Sequence, residues 1–227
     1  MGLRMLSVLV ASVSIVTGCT GTTNEPEVIS QPVTSAVQES VFIIEGVACG
    51  KSSLGTGVLI DQGVLTNAHV VAGTESLTLK NADGLESETF VIAIDFESDL
   101  AILDGSNILR NPLPVGEPVA EINGLVIVGS AGLIEAVPVQ VTRLITISMA
   151  DIYGEGQYLR SGMELSASVA PGDSGGPIIN ASGEVIGIVF SRSTSDEDVS
   201  YGISSEEFEK VIAKADPDGV ASGECRQ

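Results

Sequence analysis

From Val41 onward, short apolar or alternating runs are broken every few residues by Gly, Asn and Asp. "VFIIEGV", "GTGVLID", "GVLTNA", "ESLTLK", "TFVIAID", "LAIL", "GLVIVGS", "VPVQVTRLITIS", "PIIN" and "EVIGIVF" have the length and β-branched content of strands. Their regular spacing predicts a sandwich or a barrel. "NPLPVGEP", residues 111–118, holds three prolines and a glycine and divides the strands into two groups, about 41–110 and about 119–204. One helix is predicted, in "SSEEFEKVIAKA" over about 205–215. Ser204 or Ser205 caps it, acids fill its first turn and lysines follow.

The N-terminus follows a different pattern. Arg4 precedes an apolar run from Met5 to Val16, and small residues follow. The run is short for a bilayer span and matches the core of a secretory signal over residues 1–18. Val16-Thr17-Gly18-Cys19 resembles the lipobox of bacterial lipoproteins, which places a lipid on Cys19 and the protein on the outer side of a bacterial membrane. An ordinary cleaved signal, giving a secreted or periplasmic protein, and an uncut anchor fit the same run. Residues 19–40 are rich in Thr, Ser, Pro, Gln and Glu without apolar period and read as a flexible tether. The folded domain is expected over 41–227.

Charge excludes one class of partner. With 10 basic and 30 acidic residues among 227, the formal charge is −20, which repels phosphate backbones and argues against nucleic acid. The 26 glycines and the absence of tryptophan suit strands joined by tight turns. An odd count of three cysteines in an exported chain needs a reason. If Cys19 carries lipid, Cys49 and Cys225 remain as a pair for an oxidising compartment; two free buried thiols are the alternative. Cys225 lies in the polar tail "ASGECRQ", where a free thiol would be exposed, so a bridge is expected.

The strongest chemical signal is "APGDSGGP", Ala170–Pro177. There Ser174 sits in a glycine turn whose backbone N–H groups, those of Gly172 and Ser174, can converge on an oxyanion. "LTNAHVV" holds the only histidine, His69. Taken alone, a lone histidine at a strand end reads as structural.

"GDSGGP", "GTGVLIDQGVLTNAHVV" (residues 55–71) and "ESDLAIL" together resemble the trypsin/chymotrypsin-like serine proteases. The closest resemblance is to the bacterial extracytoplasmic branch with HtrA-type and mycobacterial acid-resistance-type members. Their order is His, Asp, Ser, with 30 residues from His69 to Asp99 and 75 from Asp99 to Ser174. The resemblance implies an all-β fold of two packed antiparallel six-stranded barrels with a C-terminal helix. It implies a serine endopeptidase acting on protein or peptide substrates, without cofactor or metal. Ser174 is then the nucleophile, His69 the general base and acid, and Asp99 the residue that orients His69. Asp95 and Asp104 lie nearby, but only Asp99 begins a D-L-A run.

Further positions follow from the same resemblance. Ser168, six residues before the nucleophile, stands at the base of the first specificity pocket and is neutral, which implies a small or medium apolar residue before the cut. Phe190, Ser191 and Arg192 stand where digestive members have Ser-Trp-Gly, so a hydroxyl that often supports the aspartate is missing. Arg192 is a candidate contact for an acidic substrate group, with a solvated side chain as the alternative. Asp173 must find a partner other than a freed N-terminus or lie at the surface. A bridge spanning the domain resembles the mycobacterial arrangement and implies sensitivity to reduction. The rival readings are a non-catalytic scaffold and an esterase on the same fold.

Overall fold

The computed structural model of the protein describes residues 29–130 and 132–225. Seven strands form its first half: β1 (Val41–Ala48), β2 (Lys51–Ile60), β3 (Gly63–Thr66), β4 (Thr74–Lys80), β5 (Glu86–Thr89), β6 (Val91–Asp95) and β7 (Leu100–Leu103). They pair antiparallel in the order β5-β4-β1-β2-β3-β7-β6. The second half is a closed antiparallel barrel of β8 (Ile122–Ser130), β9 (Leu133–Met149), β10 (Tyr158–Ser166), β11 (Pro177–Ile179), β12 (Val185–Arg192) and β13 (Val199–Ser204). The second half therefore matches the expected six-stranded barrel, whereas the first is a seven-stranded sheet. Its extra member, β5, is an edge strand with no buried residue, held by backbone pairing to β4. A strand without an apolar face leaves no hydrophobic pattern to read.

The apolar run "LAIL" explains how the halves join. Alternate residues of β7 serve two cores: Ala101 and Leu103 face the interior of the first sheet, while Leu100 and Ile102 face a cluster shared with Ile127, Ile179 and Ile188 of the barrel. Both faces of this strand are buried, so it reads as unbroken hydrophobics rather than alternation. The barrel interior is separate, built from Val126, Val141, Met163, Ile178 and Val189 among others.

Two termini depart from expectation. Helix α1 (Gln31–Gln38) lies inside the stretch read as tether. Its Val37 is buried in the shared core and Gln38 Nε2 donates to the Ile134 carbonyl at 3.2 Å. Among the described side chains of α1, Val33 and Val37 point inward, one turn apart, too sparse a pattern to register in the sequence. The short helix α2 (Ala68–Val71) follows β3, and the predicted C-terminal helix is a 3-10 turn (Ser205–Glu207) running into α3 (Phe208–Ile212). Ser204 caps it, its hydroxyl accepting from the Glu206 N–H at 3.3 Å. Among the described residues no helix is long and apolar enough to cross a membrane.

Candidate active site

His69 projects from α2, a single turn forced by the chain leaving β3 at Asn67 in extended geometry. Asp99 sits on the tight β6–β7 turn with φ 58°, a left-handed conformation that short polar side chains tolerate best. This twist aims both carboxylate oxygens at His69: Oδ1 accepts the His69 backbone N–H at 2.9 Å and Oδ2 meets Nδ1 at 2.8 Å. The Asp99 carbonyl is also used, accepting from Ala68 N–H at 3.1 Å and Asn67 Nδ2 at 3.0 Å. The carboxylate is nearly buried, its side chain 6% exposed against 20% for the imidazole. Burial strengthens the pair, and the contact at Nδ1 orients the ring.

Ser174 belongs to a loop between β10 and β11 that is stitched to β2 by Thr56, a fully buried residue. The Thr56 N–H donates to the Ser174 carbonyl at 2.8 Å. Its hydroxyl donates to the Gly172 carbonyl at 2.9 Å and accepts from the Gly129 N–H at 2.8 Å. Its own carbonyl accepts from Thr66 Oγ1 at 2.7 Å. Gly55 keeps a slot open beside it: a Cβ there would come within 2.5 Å of Val70 and 3.2 Å of the Ser174 carbonyl, so the nucleophile loop lies directly against the histidine turn. Gly175, at φ 86°, would drive a Cβ to 2.0 Å from the Thr56 carbonyl, which leaves glycine as the only residue that fits.

Within this loop the N–H groups of Asp173, Gly175 and Gly176 are all engaged by backbone carbonyls. Among the described residues no acceptor pairs with the N–H of Gly172 or Ser174, the two donors expected for an oxyanion hole. Among the described residues no hydrogen bond joins Ser174 Oγ to the His69 ring, whose contact is to Asp99. Asp173 is buried, not at the surface. Its Oδ2 accepts from the Ala170 N–H at 2.7 Å and Oδ1 has no partner, so burial pushes its carboxyl above the usual carboxylate range.

A cleft of about 370 Å³ opens beside His69 and Asp99, walled by Asp151, Ile152, Arg160 and Phe190 with Ser191. Ser191 Oγ is turned to the Arg192 carbonyl at 3.3 Å rather than to Asp99. Ser168 is exposed after β10, and Arg192 is exposed at the end of β12 without an ion pair among the described residues. Cys19 lies outside the described residues. Cys49 and Cys225 are bridged, with Cα atoms 6.1 Å apart across 176 residues. The bridge sits behind the histidine turn, where the tail is fixed by Gly73 N–H to the Ser222 carbonyl at 3.1 Å. Among the described residues no group of three or more His, Cys, Asp or Glu is arranged to hold a metal.

The sequence profile of the trypsin-like peptidase domain matches residues 55–188, from the Gly55 slot to the strand after the nucleophile. The chain belongs to this family. Serine protease Rv3671c of Mycobacterium tuberculosis is 33% identical over 209 residues, covering 88% of this chain and 52% of the relative. The active form of its protease superposes with a TM-score of 0.82 at 32% identity over 88% of this chain and 91% of that one. Its inactive form gives 0.72 at 31% identity, over 82% and 94%. A probable periplasmic DegP-like serine endoprotease of Halomonas elongata is 29% identical over 188 residues, 76% of this chain and 37% of its own. The chain thus spans about half or less of the length of these curated relatives.

Sequence reasoning for this trypsin-like domain missed two residues, Thr56 and Arg160. Thr56 was visible only as the middle of a glycine-flanked triplet. Arg160 stands in "YLRSG", where an arginine beside a leucine reads as the solvent-facing member of the pair.

Proposed function

We propose that this domain is a serine endopeptidase working through an acyl-enzyme on Ser174. Ser174 Oγ attacks the substrate carbonyl while its proton passes to His69 Nε2. The oxyanion is received by the N–H groups of Gly172 and Ser174. Collapse breaks the C–N bond and His69 returns the proton to the departing amine. Water then attacks the ester, its proton passing through His69 to Ser174 as the acid leaves. Asp99 holds the ring through Nδ1 and stabilises the imidazolium.

The observation that carries this reading is the double hold of Asp99 on His69, backbone and ring together, opposite a loop with two unengaged N–H groups. A scaffold that had lost its chemistry would have no use for either. The better superposition on the active than on the inactive form of the mycobacterial protease supports a site that folds competent. With Ser168 neutral, the first pocket takes a small or medium apolar side chain, and Arg192 lies along the substrate edge. The bridge fits an oxidising, extracytoplasmic setting, with Cys19 as a lipid attachment point. Purified domain is expected to cleave a proteome-derived peptide library, and Ser174→Ala to leave it uncut. Turnover of simple esters with no peptide cleaved would replace protease by esterase.

A further inference from the structure

The strand β10 buries the wrong residue for its sequence. Leu159 is 67% exposed, while Arg160 beside it is 2% exposed. Neighbours on a strand face opposite sides, so a shift of one residue would exchange them and bury the leucine. The register is held instead by pairing with β9 on one side and β13 on the other. A buried guanidinium in this place needs partners, and it has two, one of them across the junction of the two halves. Arg160 Nε donates to the Glu97 carbonyl at 2.5 Å, and a terminal nitrogen donates to the Ala150 carbonyl at 3.0 Å. Glu97 lies two residues before Asp99, in the turn that gives Asp99 its left-handed twist. Ala150 begins the loop that forms the opposite wall of the cleft beside His69.

The charged groups facing Arg160 are Asp99 and Asp95 from the aspartate turn, Asp151 from the loop after β9 and Glu207 from the C-terminal turn; His69 lines the same cleft. Asp95 has its own cation in Lys214 at 3.2 Å, and Glu207 has Lys210 together with the Ser161 N–H. Asp151 is capped by the N–H groups of Tyr153 and Glu155. Among the described residues no side-chain donor besides the histidine ring meets the Asp99 carboxylate, since Ser191 is turned away and Phe190 carries no hydroxyl. Burial pulls the guanidinium pKa down and these carboxylates oppose it, so Arg160 keeps its charge throughout the working range.

We propose that Arg160 is a positioning residue for hydrolysis: from the second barrel it clamps the turn that carries Asp99 and supplies the cation facing that carboxylate where no hydroxyl donor stands. The inference rests on the triad reading above. Arg160 lines the same cleft as Asp99 and His69, so its positive charge acts on both members of the pair. The clamp holds the Asp99 oxygens on the ring within the tolerance that proton transfer needs.

His69 is the chain's only histidine, so its imidazole gives one unambiguous NMR titration. That readout needs no turnover, which separates failure of this inference from failure of the protease reading. In Arg160→Gln the His69 pKa should rise by roughly half to one unit. The acid limb of kcat/KM should move with it, kcat should fall about 10- to 100-fold and KM should stay within about threefold. Arg160→Lys retains the cation but not the two-carbonyl fork, so the His69 pKa should stay within about 0.3 unit of wild type while kcat drops. A His69 pKa that stays put or falls in folded Arg160→Gln overturns the proposal. If Arg160→Gln does not fold, Arg160→Lys decides: a rise of half a unit or more despite the retained cation overturns it.

Discussion

Around Ser174 the backbone does the holding. Thr56 satisfies four polar partners within the chain, Gly55 and Gly175 let the loop lie close against β2, and Gly172 leaves room for the Leu54 side chain. Around Asp99 the side chains do it: the carboxylate on His69, Asn67 on the Asp99 carbonyl and Arg160 on the preceding turn. The aspartate turn also carries loose ends, since Ser98 Oγ and Asn67 Oδ1 are buried without partners. Backbone stitching fixes one geometry. A charge-built turn sets electrostatics and answers to every nearby carboxylate. The proposed nucleophile calls for the first, because donors must point at one spot; the proposed base calls for the second, because proton affinity is what a general base works by.

The comparison is broken most severely at the aspartate. Asp99→Asn keeps the shape but leaves an amide where Nδ1–H needs an acceptor. It should lower kcat about 10⁴-fold at neutral pH, with a Tm within a few degrees of wild type, as steady-state kinetics and thermal denaturation will show. A loss under tenfold would mean Asp99 does not orient the base. In the nucleophile loop, Thr56→Val removes the hydroxyl that joins Gly172 to Gly129 while preserving volume. Two buried backbone groups lose a partner, so stability should fall by about 1–3 kcal/mol and kcat by about 10- to 100-fold, without movement of the pH profile. A shifted acid limb there would erase the distinction between the two loops.

The smallest effect sharpens it. Asp173, inside the backbone-built loop, has one carboxylate oxygen unpartnered and a pKa raised by burial. A carboxyl that binds its proton more tightly folded than unfolded favours the fold when protonated. That contribution is lost as pH rises from the unfolded value through the folded one. Asp173→Asn stays neutral and should raise Tm by a few degrees at pH 7.5, with the gain vanishing near pH 3. A gain that persists at pH 3 would point to packing instead of charge.

The three segments that meet at the candidate site were legible because "APGDSGGP", "LTNAHVV" and "ESDLAIL" are compact motifs, where spacing and glycine carry the information. The barrel was legible from β-branched runs, as was the helix with its Ser204 cap. What escaped was the junction. Thr56 looks like any strand threonine until Ser174, 118 positions away, is brought onto its N–H. Arg160 and Leu159 exchange their usual places because the registers with β9 and β13, both long-range, outrank the local preference of either side chain. Helix α1 and strand β5 escaped for a simpler reason: α1 is held by two inward valines in a polar segment, and β5 by backbone pairing to β4.

The central claim is that His69, held by Asp99, makes Ser174 nucleophilic, and a fluorophosphonate probe with peptide mapping tests it most directly. Native, oxidised protein is expected to gain one adduct on Ser174, and His69→Ala should lose at least about 99% of the labelling rate while keeping its fold by circular dichroism. Folded wild-type protein that does not label, or labels at any residue other than Ser174, would contradict the account.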